Sequence, residues 1–318
     1  MAVPPHSCSR IGRRTAGTPF DTPGRSSVNT SCLPVSGLAT VILFESGNGP
    51  RLEFSRMVEF KVLGPLEMRS EERVWRLTAP RQRQLFGLLL LNANRVVDVE
   101  SLIVELWGDN PPKSAVTTIQ THVYQLRRFF DHEAGLPLGD ELIVTRPPGY
   151  LVSVPEESVD VFAFRRMVQE GRACAAAGRV EEASRRWRQA LDLWSGHPLT
   201  DVMPGPVLEA HLADLEETRL RVLQLRIEAD LEIGRGRDLI GELRFLVATN
   251  PLNEWFHGRL MEALCQVGRR EEALGAYQEL YAVLDRELGL EPSRELRQLR
   301  YRMLHAQGAR RRVPIGAA

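Results

Sequence analysis

The apolar positions of residues 57–155 alternate, turn helical, and alternate again. Val58, Phe60 and Val62 interleave with Glu59 and Lys61, which predicts a strand over 58–63 that stops at the turn pair Gly64-Pro65. Residues 66–68 and 74–77, separated by the polar turn Arg69-Ser70-Glu71-Glu72, complete a small antiparallel sheet. The spacing then changes. Thr78 as N-cap and Pro80 in the first turn predict a helix through Asn92, with Leu85, Leu88, Leu89 and Leu91 on a broad apolar face. Asp98 caps a second helix through Trp107, with Leu102, Ile103 and Leu106 inward. Beyond the breaker at 108–112, Ser114 caps a third helix from Ala115 to Phe130. Its Val116, Ile119, Val123, Leu126 and Phe130 recur at helical spacing and define a core face. Alternation returns at 142–145 and 150–154, on either side of Arg146-Pro147-Pro148-Gly149. Strands, three helices and a hairpin, in that order, describe a winged helix with an N-terminal sheet.

From Asp160 the pattern is helical nearly throughout, with helices expected at 160–176, 179–194, 206–233, 236–249, 252–267, 270–287 and 293–307. Gly178-Arg179-Val180-Glu181-Glu182-Ala183 recurs as Gly268-Arg269-Arg270-Glu271-Glu272-Ala273. The interval from Gly234 to Gly268 equals the tetratricopeptide period, so the second region reads as stacked helical pairs with a concave face for protein partners. The fold class is therefore mostly α with a small β component. A winged helix at 57–155 precedes an all-α, tetratricopeptide-like repeat domain at 156–308, with a flexible tail at 309–318. Residues 1–56, rich in Pro, Gly, Ser and Thr, form a disordered extension or lie upstream of a start at Met57.

Charge gives no global direction, since 41 Lys+Arg balance 41 Asp+Glu. A nucleic-acid reading must therefore come from a local face. The cysteines Cys8, Cys32, Cys174 and Cys265 lie far apart, which supports neither a zinc site nor a disulfide scaffold. Cys174 and Cys265, in apolar helical surroundings, are expected as buried thiols in a reducing cytoplasm. Neither Lys61 nor Lys113 follows a glycine, so there is no P-loop, and no nucleophile elbow or zinc-protease motif occurs. No apolar run is long enough to span a membrane. No catalytic group, metal or cofactor is assigned. Trp187, Trp194 and Trp255 are given to inter-helix packing. His197, His211, His257 and His305, separated and without evident partners, receive no chemistry, and Arg310-Arg311-Arg312 reads as a solvated end.

The third helix carries the candidate chemistry. Between Asn110 and Phe130 there is no acidic residue. Off the apolar stripe lie Thr117, Thr118, Thr121, His122, Tyr124, Gln125 and Arg128, with Arg127 at the edge. Hydroxyls, amide, imidazole and guanidinium without a carboxylate suit phosphates and base edges.

Several stretches resemble the OmpR-type winged-helix DNA-binding domain. They are residues 60–66 (Phe-Lys-Val-Leu-Gly-Pro-Leu), 80–84 (Pro-Arg-Gln-Arg-Gln), 105–108 (Glu-Leu-Trp-Gly), 121–128 (Thr-His-Val-Tyr-Gln-Leu-Arg-Arg) and 144–150 (Val-Thr-Arg-Pro-Pro-Gly-Tyr). Followed by a repeat region opening Val159-Asp160-Val161-Phe162-Ala163-Phe164, the chain resembles the Streptomyces antibiotic regulatory protein family, whose second part is the bacterial transcriptional activation domain. The resemblance covers about 57–308 and lacks a receiver domain or the nucleotide-binding and sensor domains of large members. It implies a cytoplasmic, nucleoid-associated activator of a secondary-metabolite gene cluster. Such a protein binds direct repeats in promoter DNA and recruits RNA polymerase, including its sigma subunit. It implies protomers side by side on DNA, with a monomer or weak dimer in solution. The third helix would then enter the major groove. Gln125, Thr121 and Arg128 would face bases, with Gln125 suited to adenine, and Arg146 would enter the adjacent minor groove. Thr117, Thr118, His122, Tyr124 and Arg127 would hold phosphates. Related domains often carry Arg where this chain has Thr117 and Tyr124, so base preference does not transfer directly. A repeat-built scaffold whose winged helix binds protein is the competing reading, and it needs neither the acid-free face nor Arg146.

Overall fold

The computed structural model describes residues 58–70, 73–134 and 139–305. The expected extension at 1–56, Met57, Cys8, Cys32, the turn residues Glu71 and Glu72, and the tail at 309–318 with its three arginines lie outside the described residues.

Strands β1 (Glu59–Lys61), β2 (Glu67–Arg69) and β3 (Val74–Trp75) form an antiparallel meander with Phe60 opposite Met68 and Met68 opposite Trp75. The buried Phe60 meets Phe86 edge-on, with ring centroids 5.9 Å apart, so the sheet closes over helix α1 (Pro80–Leu91). Helix α2 (Val99–Trp107) follows, then α3 (Ala115–Arg128), one wider turn at Phe129–Glu133, and the short α4 (Gly139–Leu142). A second antiparallel sheet runs in the order β4 (Val97–Asp98), β6 (Gly149–Val152), β5 (Ile143–Arg146). β4 is absent from the sequence-based reading because two residues carry no periodicity. It pins the hairpin to the helices, since Val97 pairs with Tyr150 and Asp98 with Gly149. A Cβ on Gly149 would stand 1.8 Å from the Val97 carbonyl oxygen, so only glycine permits that crossing.

Local details depart from expectation at several points. Ala79, not Thr78, is the N-cap of α1, and Pro80 sits in its first turn as expected. Asp98 does cap α2, accepting from the Ser101 backbone N–H at 2.7 Å. Ser114 occupies the cap position of α3, but its side chain makes no cap bond. Val116 is 48% exposed, and the neighbouring Ala115 is buried in its place. Helical spacing alone does not tell which first-turn residue finds the core.

The helical region comprises α5 (Asp160–Ala176), α6 (Val180–Leu191), α7 (Pro206–Glu232), α8 (Gly236–Thr249), α9 (Glu254–Gln266), α10 (Arg270–Leu288) and α11 (Arg294–His305). α6 stops at Leu191 instead of 194. The recurring glycines end helices identically. Gly178, Gly234 and Gly268 take φ of 74°, 80° and 79°, and the next residue donates back to Cys174, Asp230 and Leu264 respectively. Trp187 and Trp194 are buried, with Trp194 edge-on to Phe164, while Trp255 is half-buried. Cys174 and Cys265 are half-buried rather than buried. The four histidines do have partners: His197 with Glu216, His211 with Asn92, His257 with the Pro251 carbonyl, and His305 with the Tyr301 carbonyl.

The winged helix and the first repeats share one hydrophobic core, running from Val58 to Ala229, and a second core joins Ile227 to Met303. Three carboxylates lock the shared region. Asp160 accepts from the Val62 N–H at 3.0 Å and the Leu63 N–H at 3.2 Å. Asp201 accepts from the Leu66 N–H at 2.7 Å and pairs with Arg83 at 3.2 Å. Glu105 reaches the start of α7. Burial pushes the Asp160 carboxyl up to about 6, outweighing the N–H donors of Val62 and Leu63 and the charge of Lys61. A carboxyl raised in the folded state stabilises fully below its unfolded value of 3.8, and that contribution is lost as pH rises through about 6. Between pH 4 and pH 7 the wild type should therefore lose up to about 3 kcal/mol of stability relative to Asp160→Asn. Chemical denaturation at both pH values checks this, and a pH-independent difference contradicts it.

Candidate nucleic-acid interface

α3 stands on three buried side chains, Ile119, Val123 and Leu126, with Ala115 at its start. This anchoring turns Thr117, Thr121, Tyr124, Gln125 and Arg128 fully outward, while Thr118, His122 and Arg127 are half-buried. Tyr124 is 59% exposed. The hydroxyls of Thr118 and Thr121 donate to the carbonyls of Ser114 and Thr117 at 3.0 and 2.9 Å. In that state each offers only lone pairs outward, which suits an exocyclic amine on a base better than a phosphate. Rotation of either hydroxyl would restore a donor.

Arg127 occupies a different place from its neighbours. Its Nε donates to the Ile143 carbonyl at 3.0 Å and its Nη2 to Thr145 Oγ1 at 2.9 Å, and it pairs with Asp140 at 3.1 Å. Its guanidinium therefore fastens α3 to β5, so that helix and hairpin form one unit. Arg146 ends β5 opposite Gly149, beside the exposed Pro147 and Pro148. Arg128 and Arg146 are exposed and have no ion-pair partner among the described residues, so both charges remain available to an anion. Asp140, exposed in α4, is paired with Arg127.

Two further side chains belong to this surface. Val116 is exposed beside Thr117, an apolar group of the kind that meets a thymine methyl. Gln82, half-exposed in the first turn of α1, donates from Nε2 to Gln125 Oε1 at 2.9 Å. Val116 escaped the sequence-based reading because it fits the apolar stripe. Nothing in the sequence links Gln82 to a residue 43 positions away.

Among the described residues no three His, Cys, Asp or Glu side chains converge on a metal site, and no helix is long and apolar enough to cross a membrane.

Comparison with known proteins places two family matches on this architecture. Residues 73–152 match the C-terminal domain of transcriptional regulatory proteins, and residues 159–304 match the bacterial transcriptional activator domain. The chain is 41% identical over 253 residues to the regulatory protein DnrI of Streptomyces peucetius, covering 78% of this chain and 93% of that one. It is 32% identical over 270 residues to the regulatory protein AfsR of Streptomyces griseus, covering 81% of this chain but 27% of the relative. Among solved structures, Mycobacterium tuberculosis EmbR in complex with a low-affinity phosphopeptide superposes with a TM-score of 0.71 at 33% identity, over 79% of this chain and 65% of EmbR.

Proposed function

The chain belongs to the Streptomyces antibiotic regulatory protein family, and from that premise we propose that it activates a secondary-metabolite gene cluster by binding direct repeats in promoter DNA and recruiting RNA polymerase, including its sigma subunit. One observation carries the reading: an acid-free helix face and a free wing arginine are fastened into one unit by Arg127. α3 enters the major groove with Gln125, Thr121 and Arg128 toward base edges. Thr117, Thr118, His122 and Tyr124 line the flanking phosphates. Arg127, spent on β5, acts by holding the hairpin at a fixed distance from the helix. Arg146 enters the minor groove, where a narrow A·T-rich tract attracts a guanidinium. None of these roles needs a cofactor, a metal or a covalent step.

Protomers bind side by side in the same orientation, as direct repeats demand, and such an arrangement requires no symmetric dimer in solution. The helical repeats supply the surface for polymerase, and the protein works in the cytoplasm on the nucleoid. Footprinting on promoters of its own gene neighbourhood tests the DNA half. Protection of two or more direct repeats is expected, and uniform protection would sink the proposal. Transcription in vitro with purified polymerase tests the other half, and an unstimulated start rate contradicts recruitment.

Arg146→Ala should weaken promoter binding by about 1–3 kcal/mol at fixed salt. Titration against a labelled duplex measures it, and unchanged affinity removes the wing from the interface.

A further inference from the structure

Resting on the reading of α3 as the groove helix, we infer that Gln82 is a specificity-determining residue: it turns the Gln125 amide so that the NH2 group, not the carbonyl, meets the DNA. Gln82 Nε2 donates to Gln125 Oε1 at 2.9 Å, and His122 Nδ1 lies 3.4 Å from the same oxygen. An amide oxygen has two lone pairs: Gln82 holds one, and His122 Nδ1 stands beside the other, able to donate in its Nδ1–H form. What Gln125 has left to offer is the pair of N–H donors on Nε2.

An unconstrained glutamine reads adenine, its oxygen accepting from N6 and its nitrogen donating to N7. With the oxygen turned toward Gln82, the bidentate adenine pairing is reached only by rotating the amide, which breaks the Gln82 bond. Edges that present acceptors alone need no such break: guanine with O6 and N7, or thymine with O4. The first turn of α1, which carries Gln82, is rooted in the core. Arg81 Nη1 donates to Gln84 Oε1 at 3.0 Å and also to the Leu106 carbonyl, while the buried Gln84 donates to Glu105. Gln82 is thus presented between two residues bonded to the core, on a helix separate from the one it orients.

The test is binding-site selection from a randomised duplex library, using the full chain as wild type, Gln125→Ala, Gln82→Leu and Gln82→Glu. Gln82 is half-exposed and outside the core, so neither change at 82 threatens the fold. Gln125→Ala identifies the base pair in question by relaxing it. At that pair the wild type is expected to select guanine or thymine. Gln82→Leu should raise adenine relative to guanine by roughly tenfold. In Gln82→Glu the carboxylate can only accept, so it inverts the amide and favours adenine or cytosine. Adenine selected by the wild type, or an unchanged preference in both Gln82 variants, overturns the inference while leaving α3 as the reading helix. A Gln125→Ala variant that relaxes no base pair overturns the groove-helix reading, and this inference with it.

Discussion

Glu105→Ala is expected to destabilise the folded chain by about 3–5 kcal/mol, because it removes several hydrogen bonds to one carboxylate and leaves neutral donors unpaired. Glu105 is 1% exposed, yet it comes from the winged helix and serves a helix of the repeat region. Its carboxylate accepts from the Gln84 amide at 2.9 Å, the Gly205 N–H at 2.7 Å and the Leu208 N–H at 2.8 Å. The last two are orphan donors at the start of α7, where the helix dipole also favours a negative charge. Alanine leaves the Gly205 and Leu208 N–H groups without their acceptor, while the Gln84 amide keeps only the backbone carbonyl of residue 105, and it opens a void beside them. An exposed acid such as Glu217, whose pairing with Arg221 is open to solvent, should lose less than about 1 kcal/mol on the same change. Equilibrium denaturation of the two variants decides the matter. Equal, small losses would mean that the junction between the regions is not held by this carboxylate.

The largest expected effect on function is that of salt. If roughly five phosphates are neutralised per protomer, log K against log salt has a slope near −4 to −5. Affinity then falls by about several hundred-fold between 50 and 200 mM salt. The overall charge of the chain is zero, so this dependence must come from a local cationic surface, of which Lys113, Arg128 and Arg146 are part. Arg146→Ala should flatten the slope by about one. A slope near zero in the wild type would remove the electrostatic footprint altogether.

Much of the fold was legible because long helices repeat their pattern many times. The bounds of α5 and α8 follow from apolar spacing closed by Gly, Pro or Asn, and Asp98 is a cap whose partner lies three residues away. What escaped was non-local. β4 is two residues long and exists only because β6 passes beside it. Asp160, Asp201 and Glu105 look like ordinary acids in sequence, but each accepts backbone N–H groups from segments about 100 residues away or more. The candidate site shows the same division. Outward residues of α3 are the complement of its apolar stripe, so their exposure could be read directly, apart from Val116. Which groups they bond could not. The engagement of Arg127 with the hairpin and of Gln125 with Gln82 depends on neighbours that only the folded chain brings close.

The most direct measurement is competition binding of the full chain to a promoter duplex from its own gene neighbourhood and to a scrambled duplex of equal length, at one fixed salt concentration, with Gln125→Ala alongside. The wild type should prefer the promoter by at least about a thousandfold. Gln125→Ala should erode that preference by roughly five- to a hundredfold while leaving binding to the scrambled duplex unchanged. Equal affinity of the wild type for the two duplexes would contradict a sequence-reading regulator and turn attention to the helical repeats as a platform for protein partners.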